Sequence, residues 1–548
     1  MNGIRHAIGV DISTQSIAAM LIGVVELRGA PSELVISSAW TASRPCADEA
    51  GRKAPSKWVE LIRECIRDLR RSAPETELAR AVGISTTFPG VFAILDDGAI
   101  DPNLASLYDN TDDAGLSETA FGQALGRAER DTMNRMWPGN MAIGLAHLVR
   151  SCGPELSRAS ALVPPNSAFA YELLRAVGAD IRPRNLISDF TQAVIGGLYD
   201  ARTMMPVPDG VASLLREALP EVEPERVREL LPRPGPSWRN VVPPDSVDAA
   251  RQLLGLPSLE SVSIGAGDSP LGTLAVFPGE DSILNVRGST DSPMLMVDAP
   301  RPHSGSRETV LHYPMPWAES ASSSPWCVVA PTLRSGKVWD WVRRLRYPDG
   351  APNADVELER LACEALKRRF RAPEGSLERG PLVFHTALGG ERAPDWDPRA
   401  TGTLSGLIES HSIGDIALAA LEGTSLMLSR NLRLMEERYQ VSPAKLLLAG
   451  GPVKNRLWNW VTQVLTGKLT SATTFSDASL LGAALLGYGA SYDGVEDDVS
   501  VSERLRAVSR LSSAHPLVRP TPVEPPDEIL AKLEPAYREC ATELRQRA

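Results

Sequence analysis

The chain has 548 residues, long enough for two or more domains. Its 57 Lys and Arg against 68 Asp and Glu leave a net charge of −11, which argues against broad binding to nucleic acid or to an anionic membrane. The six cysteines (Cys46, Cys65, Cys152, Cys327, Cys363 and Cys540) are scattered without a Cys-x-x-Cys pair, so neither a zinc site nor a disulfide framework is indicated.

A cytoplasmic protein with reduced thiols is expected. The opening MNGIRHAIGVD lacks a signal-peptide pattern, and the apolar runs are too short and interrupted to span a bilayer. Residues 7–11 and 17–23 read as the two strands of a hairpin around Asp11-Ile-Ser-Thr-Gln-Ser. SKWVELIRECIRDLRRSA (56–73) has helical spacing at Trp58, Leu61, Ile62, Cys65 and Leu69. Residues 79–100 read as strand, loop and strand, with Asp97-Gly98 as a turn. The stretch 201–245, rich in proline and charge, reads as a surface linker, followed by a short helix over 245–256.

The second half opens with VSIGAGDSPLGTLAVF (262–277), a strand, a Gly-rich turn and a helix. SILNVRGSTDSPMLMV (282–297) repeats the opening hairpin: apolar strand, Gly-Ser-Thr, apolar strand. Residues 328–345 end in a helix, and 414–439 form a long helix with i, i+3, i+4 apolar spacing. KLLLAGGPVKNRLWNWVTQVLTG (445–467) is a buried strand, a Gly-Gly turn and a helix. A small-residue helix over 478–490 and a surface helix over 525–546 complete the chain. The two halves echo one another, which predicts two α/β domains of related plan.

Four stretches are candidates for chemistry. The first turn offers backbone N–H groups and hydroxyls to a phosphate, and Asp11 at the end of a buried strand is placed to hold Mg²⁺ through water. The same residues also make an ordinary β-turn in which Asp bonds its own backbone. Asp268 in Gly-Ala-Gly-Asp-Ser-Pro leads into a helix, so it is either an N-cap or a general base left uncrowded by Gly265 and Gly267. Gly450-Gly451, between strand and helix, is either a plain turn or a place where a base or ribose lies close to backbone. Gly389 to Arg399, dense in charge and proline, reads as an ordered loop with Glu391 and Arg392 as an ion pair. Neither a Gly-x-Ser-x-Gly elbow nor a Walker A lysine loop occurs in the sequence, which removes serine-hydrolase and P-loop readings.

Taken in this order, these pieces resemble the FGGY carbohydrate kinases, of the xylulokinase-like kind, from about residue 7 to about residue 490. The most specific part is GTLSGLIESHSIGDIALAALE (402–422), preceded by GGERAPDWDPRATG; LISDFTQAVIGGLYDARTM (186–204) and LLPRPGPSW add to it. The resemblance implies an α/β fold of two actin/hexokinase-like (ribonuclease H-like) domains with an ATP cleft between them. It implies an N-terminal domain over 1–257, a C-terminal domain over 258–492 and an extension with a terminal helix over 493–548. Asp11, Ser13 and Thr14 would belong to the first phosphate hairpin, with Asp11 near Mg²⁺. Gly288, Ser289 and Thr290 would belong to the second. Gly450, Gly451 and Asn455 would face the adenosine, with Gly336 nearby, and Asp268 matches the family's catalytic base. ATP and Mg²⁺ are therefore expected, with a small sugar or polyol as acceptor, no nucleic acid or membrane partner, and a homodimer compatible with the sequence.

The sequence also departs from the family. Ser13 stands where a glycine is usual and Ala18 where a basic residue is usual. Phe88 and Pro89 replace the Met-His pair of the xylulokinase sugar segment. In LYDNTDD, Asp109 is the expected sugar-contacting carboxylate. The departures keep two rivals open: a catalytically weakened relative that binds nucleotide or sugar as a regulator, and an ATPase of chaperone or actin type.

Overall fold

An apolar run, a short polar turn and a second apolar run specify a hairpin, and the chain builds two of them. The computed structural model describes residues 3–13, 16–27, 29–45, 54–110, 112, 115–116, 118–277, 279, 281–320, 322–323, 325–496 and 499–547. The chain forms two units: Met1–Phe277, Val297–Cys327 and Asp477–Leu517 in the first; Pro278–Met296, Val328–Ser476 and Val518–Ala548 in the second. Among the helices are α1 (Pro55–Ser72), α2 (Phe190–Ile195), α3 (Asp268–Ala275), α4 (Gly336–Arg346), α5 (Ile413–Tyr439), α6 (Arg456–Thr466), α7 (Ala478–Ala490) and α8 (Glu528–Arg547).

In the first unit, β1 (Gly3–Ile12) pairs antiparallel with β2 (Ser16–Leu27), and β3 (Ala30–Pro45) continues the sheet beyond β2. On the other side β4 (Ala79–Thr86) runs parallel to β1, and the short β5 (Ser261–Val262) and β6 (Ala266–Gly267) run parallel to β4. Both faces of this sheet are covered, which is why β1 reads as a near-continuous apolar run and not as an alternation. One face packs Ile8, Val10 and Ile12 with Trp58, Ile62, Ile66 and Leu69 of α1. Each such side chain contributes roughly 1.5–3 kcal/mol when buried. The other face is backbone on backbone. A Cβ added to Gly83 would lie 1.8 Å from the Ala483 carbonyl oxygen, and one added to Gly9 would lie 2.3 Å from that of Leu480, both in α7. The small residues of α7 thus permit a close helix–sheet approach.

In the second unit, β7 (Ser282–Arg287) pairs antiparallel with β8 (Asp291–Val297) and parallel with β9 (Lys445–Ala449). β10 (Leu469–Ala472) lies parallel to β9, and β11 (Thr521–Pro522) pairs antiparallel with β10. Trp458, Trp460, Val461 and Leu465 of α6 share a core with Ala417, Leu418 and Leu421 of α5. Each unit therefore has a hairpin whose first strand also pairs parallel with a later strand.

Three expectations need revision. The stretch 201–245 is not a surface linker. It forms the helices Asp209–Ala218 and Pro224–Leu230, and Val211, Leu214, Leu215, Val227 and Leu230 join a core. The periodic apolar residues there outweigh the prolines, two of which, Pro208 and Pro224, sit at the helix starts. The terminal helix α8 is not merely superficial, because Leu530, Tyr537, Ala541 and Leu544 are buried in the second unit's core. The two units also do not follow consecutive blocks of sequence. Residues 258–277 pack with the first unit because β5 and β6 pair with β4, and residues 477–517 return to it through α7.

Gly83→Val forces a branched side chain into the α7 backbone and is expected to destabilise the protein by about 1–3 kcal/mol. Gly153→Ala, at a position with open space, should change stability by less than about 0.5 kcal/mol. Urea unfolding of the two variants checks the contrast.

Candidate functional site

In the first unit the register brings polar residues to one end of the sheet. Asp11 lies beside Ser85 across the β1–β4 pair, and β6 sets Ala266 beside Ser85 and Gly267 beside Thr86. These are the carboxyl ends of parallel strands, where α/β sheets hold ligands. Asp11 Oδ1 accepts a hydrogen bond from Ser85 Oγ at 2.5 Å, and Oδ2 accepts one from Ser479 Oγ at 3.3 Å. Burial pushes the Asp11 carboxyl above its ordinary range; the two serine hydroxyls oppose that shift, and Asp477 nearby adds to it. Ser13 closes the hairpin turn: its Oγ donates to the Ser16 carbonyl at 2.8 Å and accepts from the Ser16 N–H at 3.1 Å. Thr14 lies outside the described residues.

Asp268 is the first residue of α3, and Gly267 is the N-cap. The N-cap alternative for Asp268 is thus displaced by one residue, although its Oδ1 still accepts from the Ser269 N–H at 2.7 Å. Gly267 is needed for a reason other than leaving the carboxylate uncrowded. A Cβ there would meet the Phe88 ring at 2.4 Å. Phe88 stands edge-on to Tyr313, with ring centroids 6.1 Å apart, and Pro89 beside it is buried. The strands therefore bring Asp11, Phe88 and Asp268 to the same sheet end. Asp109 falls on an exposed turn after the strand Ile100–Leu107, which belongs to a different sheet.

Behind this end lies a buried polar group. Asp189 caps α2, accepting from the N–H groups of Thr191 and Gln192 at 2.9 and 3.2 Å. It also accepts from Thr191 Oγ1 at 2.6 Å, Ser237 Oγ at 3.0 Å and Asn166 Nδ2 at 3.0 Å. Gln192 Nε2 in turn donates to Thr86 Oγ1 at 2.9 Å. Burial outweighs these bonds and pushes the Asp189 carboxyl up to about 6.

In the second unit the turn Gly288-Ser289-Thr290 joins β7 to β8. The Gly288 carbonyl accepts from the Gly336 N–H at 3.0 Å, and the Ser289 carbonyl from the Ser335 N–H at 2.9 Å. In a trans peptide the N–H points away from its C=O. The Ser289 and Thr290 N–H groups are thereby turned away from α4, as an anion cradle requires. Gly336 sits so close that a Cβ would lie 2.3 Å from the Gly288 oxygen. Gly450 has φ +102°, and a Cβ there would lie 2.1 Å from the Arg287 oxygen, so only glycine fits. Gly451 is exposed with open space beside it. Asn455 is the N-cap of α6 and accepts from the Trp458 N–H at 2.8 Å, a structural duty the sequence reading did not assign.

Sequence reasoning also missed Ser85, Ser479 and the pair Arg287 and Asp291. Two opposite charges bracketing a Gly-Ser-Thr turn inside apolar strands were the available signal for that pair. For the serines, no local signal exists; they meet Asp11 only through strand register and the α7 return. Among the described residues no group of three or more His, Cys, Asp and Glu could hold a metal ion, and no helix is long and apolar enough to cross a membrane. Asp11 with its serines nevertheless suits Mg²⁺. That ion takes hard oxygen ligands, keeps several waters and uses one or two protein carboxylates beside phosphate oxygens.

Residues 291–491 match the C-terminal domain of the FGGY family of carbohydrate kinases. A gluconokinase of Bacillus licheniformis is 25% identical over 265 residues, 46% of this chain and 48% of that protein. The chain thus aligns with about half the length of the curated relatives it matches. The xylulose kinase of Rhodospirillum rubrum has a similar structure, with a TM-score of 0.72 at 20% identity over 99% of both chains. So does Plasmodium falciparum glycerol kinase, solved with ADP, with a TM-score of 0.69 at 14% identity over 98% of this chain and 97% of that one. These likenesses show the fold of two actin-like α/β domains.

Asp189 makes a pH-dependent contribution whose sign follows from its raised carboxyl. A group that holds its proton more tightly when folded gives stability that is fully present below the unfolded value, 3.8, and lost as pH rises through about 6. The stability of the native chain relative to Asp189→Asn should therefore fall across that window and level off above it. Urea midpoints of both proteins across the window check this.

Proposed function

We propose that the chain, whose residues 291–491 match the C-terminal domain of the FGGY family of carbohydrate kinases, is a kinase of that family that transfers the γ-phosphoryl group of ATP to a hydroxyl of a small sugar or polyol. The observation that carries the reading is the shared sheet end of Asp11 and Asp268, set by the register of β1, β4 and β6. A carboxylate at the first turn of α3 can orient an acceptor hydroxyl and take its proton as that oxygen attacks phosphorus. Phe88, packed on the backbone just before Asp268, gives the acceptor an apolar wall, and Pro89 beside it stands where a histidine would give a donor. Asp109 remains the proposed carboxylate contact to the acceptor.

Asp11 would hold Mg²⁺, which when bound supplies charge neutralisation at the phosphates. Ser13 and Thr14 at the first hairpin, and the N–H groups of the Gly288-Ser289-Thr290 turn at the second, would bind phosphate oxygens and stabilise the charge of the transferring group. Gly450, Gly451 and Asn455 would lie against the adenosine, with Gly336 supporting the turn. Asn455 Oδ1 is committed to Trp458, which leaves its amide nitrogen for that contact. Ala18 supplies no cation to the first hairpin, so the backbone donors and the bound ion carry more of the neutralisation. Five free cysteines among the described residues accord with the reducing cytoplasm expected for this reading.

ADP release from Mg-ATP should rise with one compound in a panel of ketoses, aldonic acids, polyols and cyclitols. Asp268→Asn should lose about 10²–10⁴ of that rate, the range for a general base, while still binding nucleotide. ATP binding without turnover on any compound would overturn the kinase reading and favour the regulatory one.

A further inference from the structure

NVRGSTD places opposite charges four residues apart, and the hairpin register sets Arg287 directly across from Asp291. Both side chains are wholly buried, with 0% exposure each. A buried charge persists only when it is paired and hydrogen-bonded. Arg287 Nε donates to Asp291 Oδ1 at 3.0 Å, and Nη2 donates to Thr462 Oγ1 at 3.1 Å. The guanidinium lies over the Trp458 ring, 4.3 Å from its centroid. Asp291 Oδ1 also accepts from Asn285 Nδ2 at 3.1 Å, and the Asp291 N–H donates to Thr332 Oγ1 at 2.9 Å.

One side chain thus joins the closing pair of the second hairpin to α6. Thr462 and Trp458 both belong to α6, and Trp458 carries the N–H that Asn455 caps. The Arg287 carbonyl also faces Gly450 at a distance no side chain would tolerate. Buried ion pairs add little net stability against an apolar replacement of equal shape, but they can fix one geometry over its neighbours.

We infer that Arg287 is a positioning residue: with Asp291 it locks the Gly288-Ser289-Thr290 turn to the start of α6, so that phosphate-facing and adenosine-facing backbone form one rigid cradle for a nucleoside diphosphate moiety. The inference rests on the kinase reading, because that reading supplies the nucleotide. Its physical content is coupling. Loosening Arg287 lets the turn and Asn455 shift relative to each other, and a ligand touching both then meets a cradle that is no longer preorganised.

The test uses the full chain and Mg-ADP, by calorimetry well below the melting temperature, in native protein, Arg287→Met and Thr462→Val. Arg287→Met is expected to weaken Mg-ADP by about tenfold or more, and Thr462→Val by about threefold, in line with lost charge-assisted hydrogen bonds. In turnover, the KM for ATP should rise by a similar factor while kcat changes less than about threefold. Unchanged Mg-ADP affinity in folded Arg287→Met, or in Thr462→Val if the first variant does not fold, overturns the inference and leaves the pair a fold element only. Failure of the native chain to bind Mg-ADP overturns the nucleotide reading itself, and the native protein alone reveals it.

Discussion

The parallel pairing of β1 with β4 is the constraint on which the first unit's site depends. β1 arrives with a carboxylate at its end, and β4 must present a polar neighbour there or leave that carboxylate half-buried without a partner. Ser85 meets this need, and Ser479 at the start of α7 adds a second hydroxyl. The same strand, continued by Thr86, receives β6 and so fixes where α3 begins. Asp268 owes its place to this register and to the close approach of backbone that Gly9, Gly83 and Gly482 permit around α7. Burial holds the Asp11 carboxyl above its ordinary range, and neither serine brings a positive charge. A divalent cation would supply what the local protein groups do not.

The second unit meets a related demand by other means. Its hairpin turn is anchored through carbonyls at the start of α4, which turns N–H groups outward. Its flanking charges are buried and spent on each other, on Thr462 and on Trp458. Rigidity there comes from backbone contact at Gly336 and Gly450 and from one charged bridge. In the first hairpin the comparable work is done by the Ser13 hydroxyl closing on Ser16. Ser13 is thus a staple across the turn.

Much of this architecture was legible in the sequence. Both hairpins, α1, α5, α6 and α7 follow from apolar periodicity and from Gly and Pro punctuation, and the structure has them within a few residues of the expected bounds. The long third strand Ala30–Pro45 was not read, because its polar residues mask any alternation. The stretch 201–245 was misread because proline density is a surface signal only where apolar periodicity is absent. The terminal helix looked superficial because its buried residues, Leu530, Tyr537, Ala541 and Leu544, are widely spaced among charges. The candidate carboxylates Asp11 and Asp268 stood out as polar breaks in apolar runs. Their partners did not, since Ser85 and Ser479 are ordinary residues until register brings them together.

The central claim is that the two hairpin turns and the Gly450–Asn455 stretch are the nucleotide-contacting backbone. Amide hydrogen exchange on the native chain, with and without Mg-ATP, tests it most directly. The account predicts slowed exchange at residues 11–13, 288–290 and 450–455, with α8 unchanged. Unaltered exchange at those segments under conditions where calorimetry shows ATP bound would contradict it.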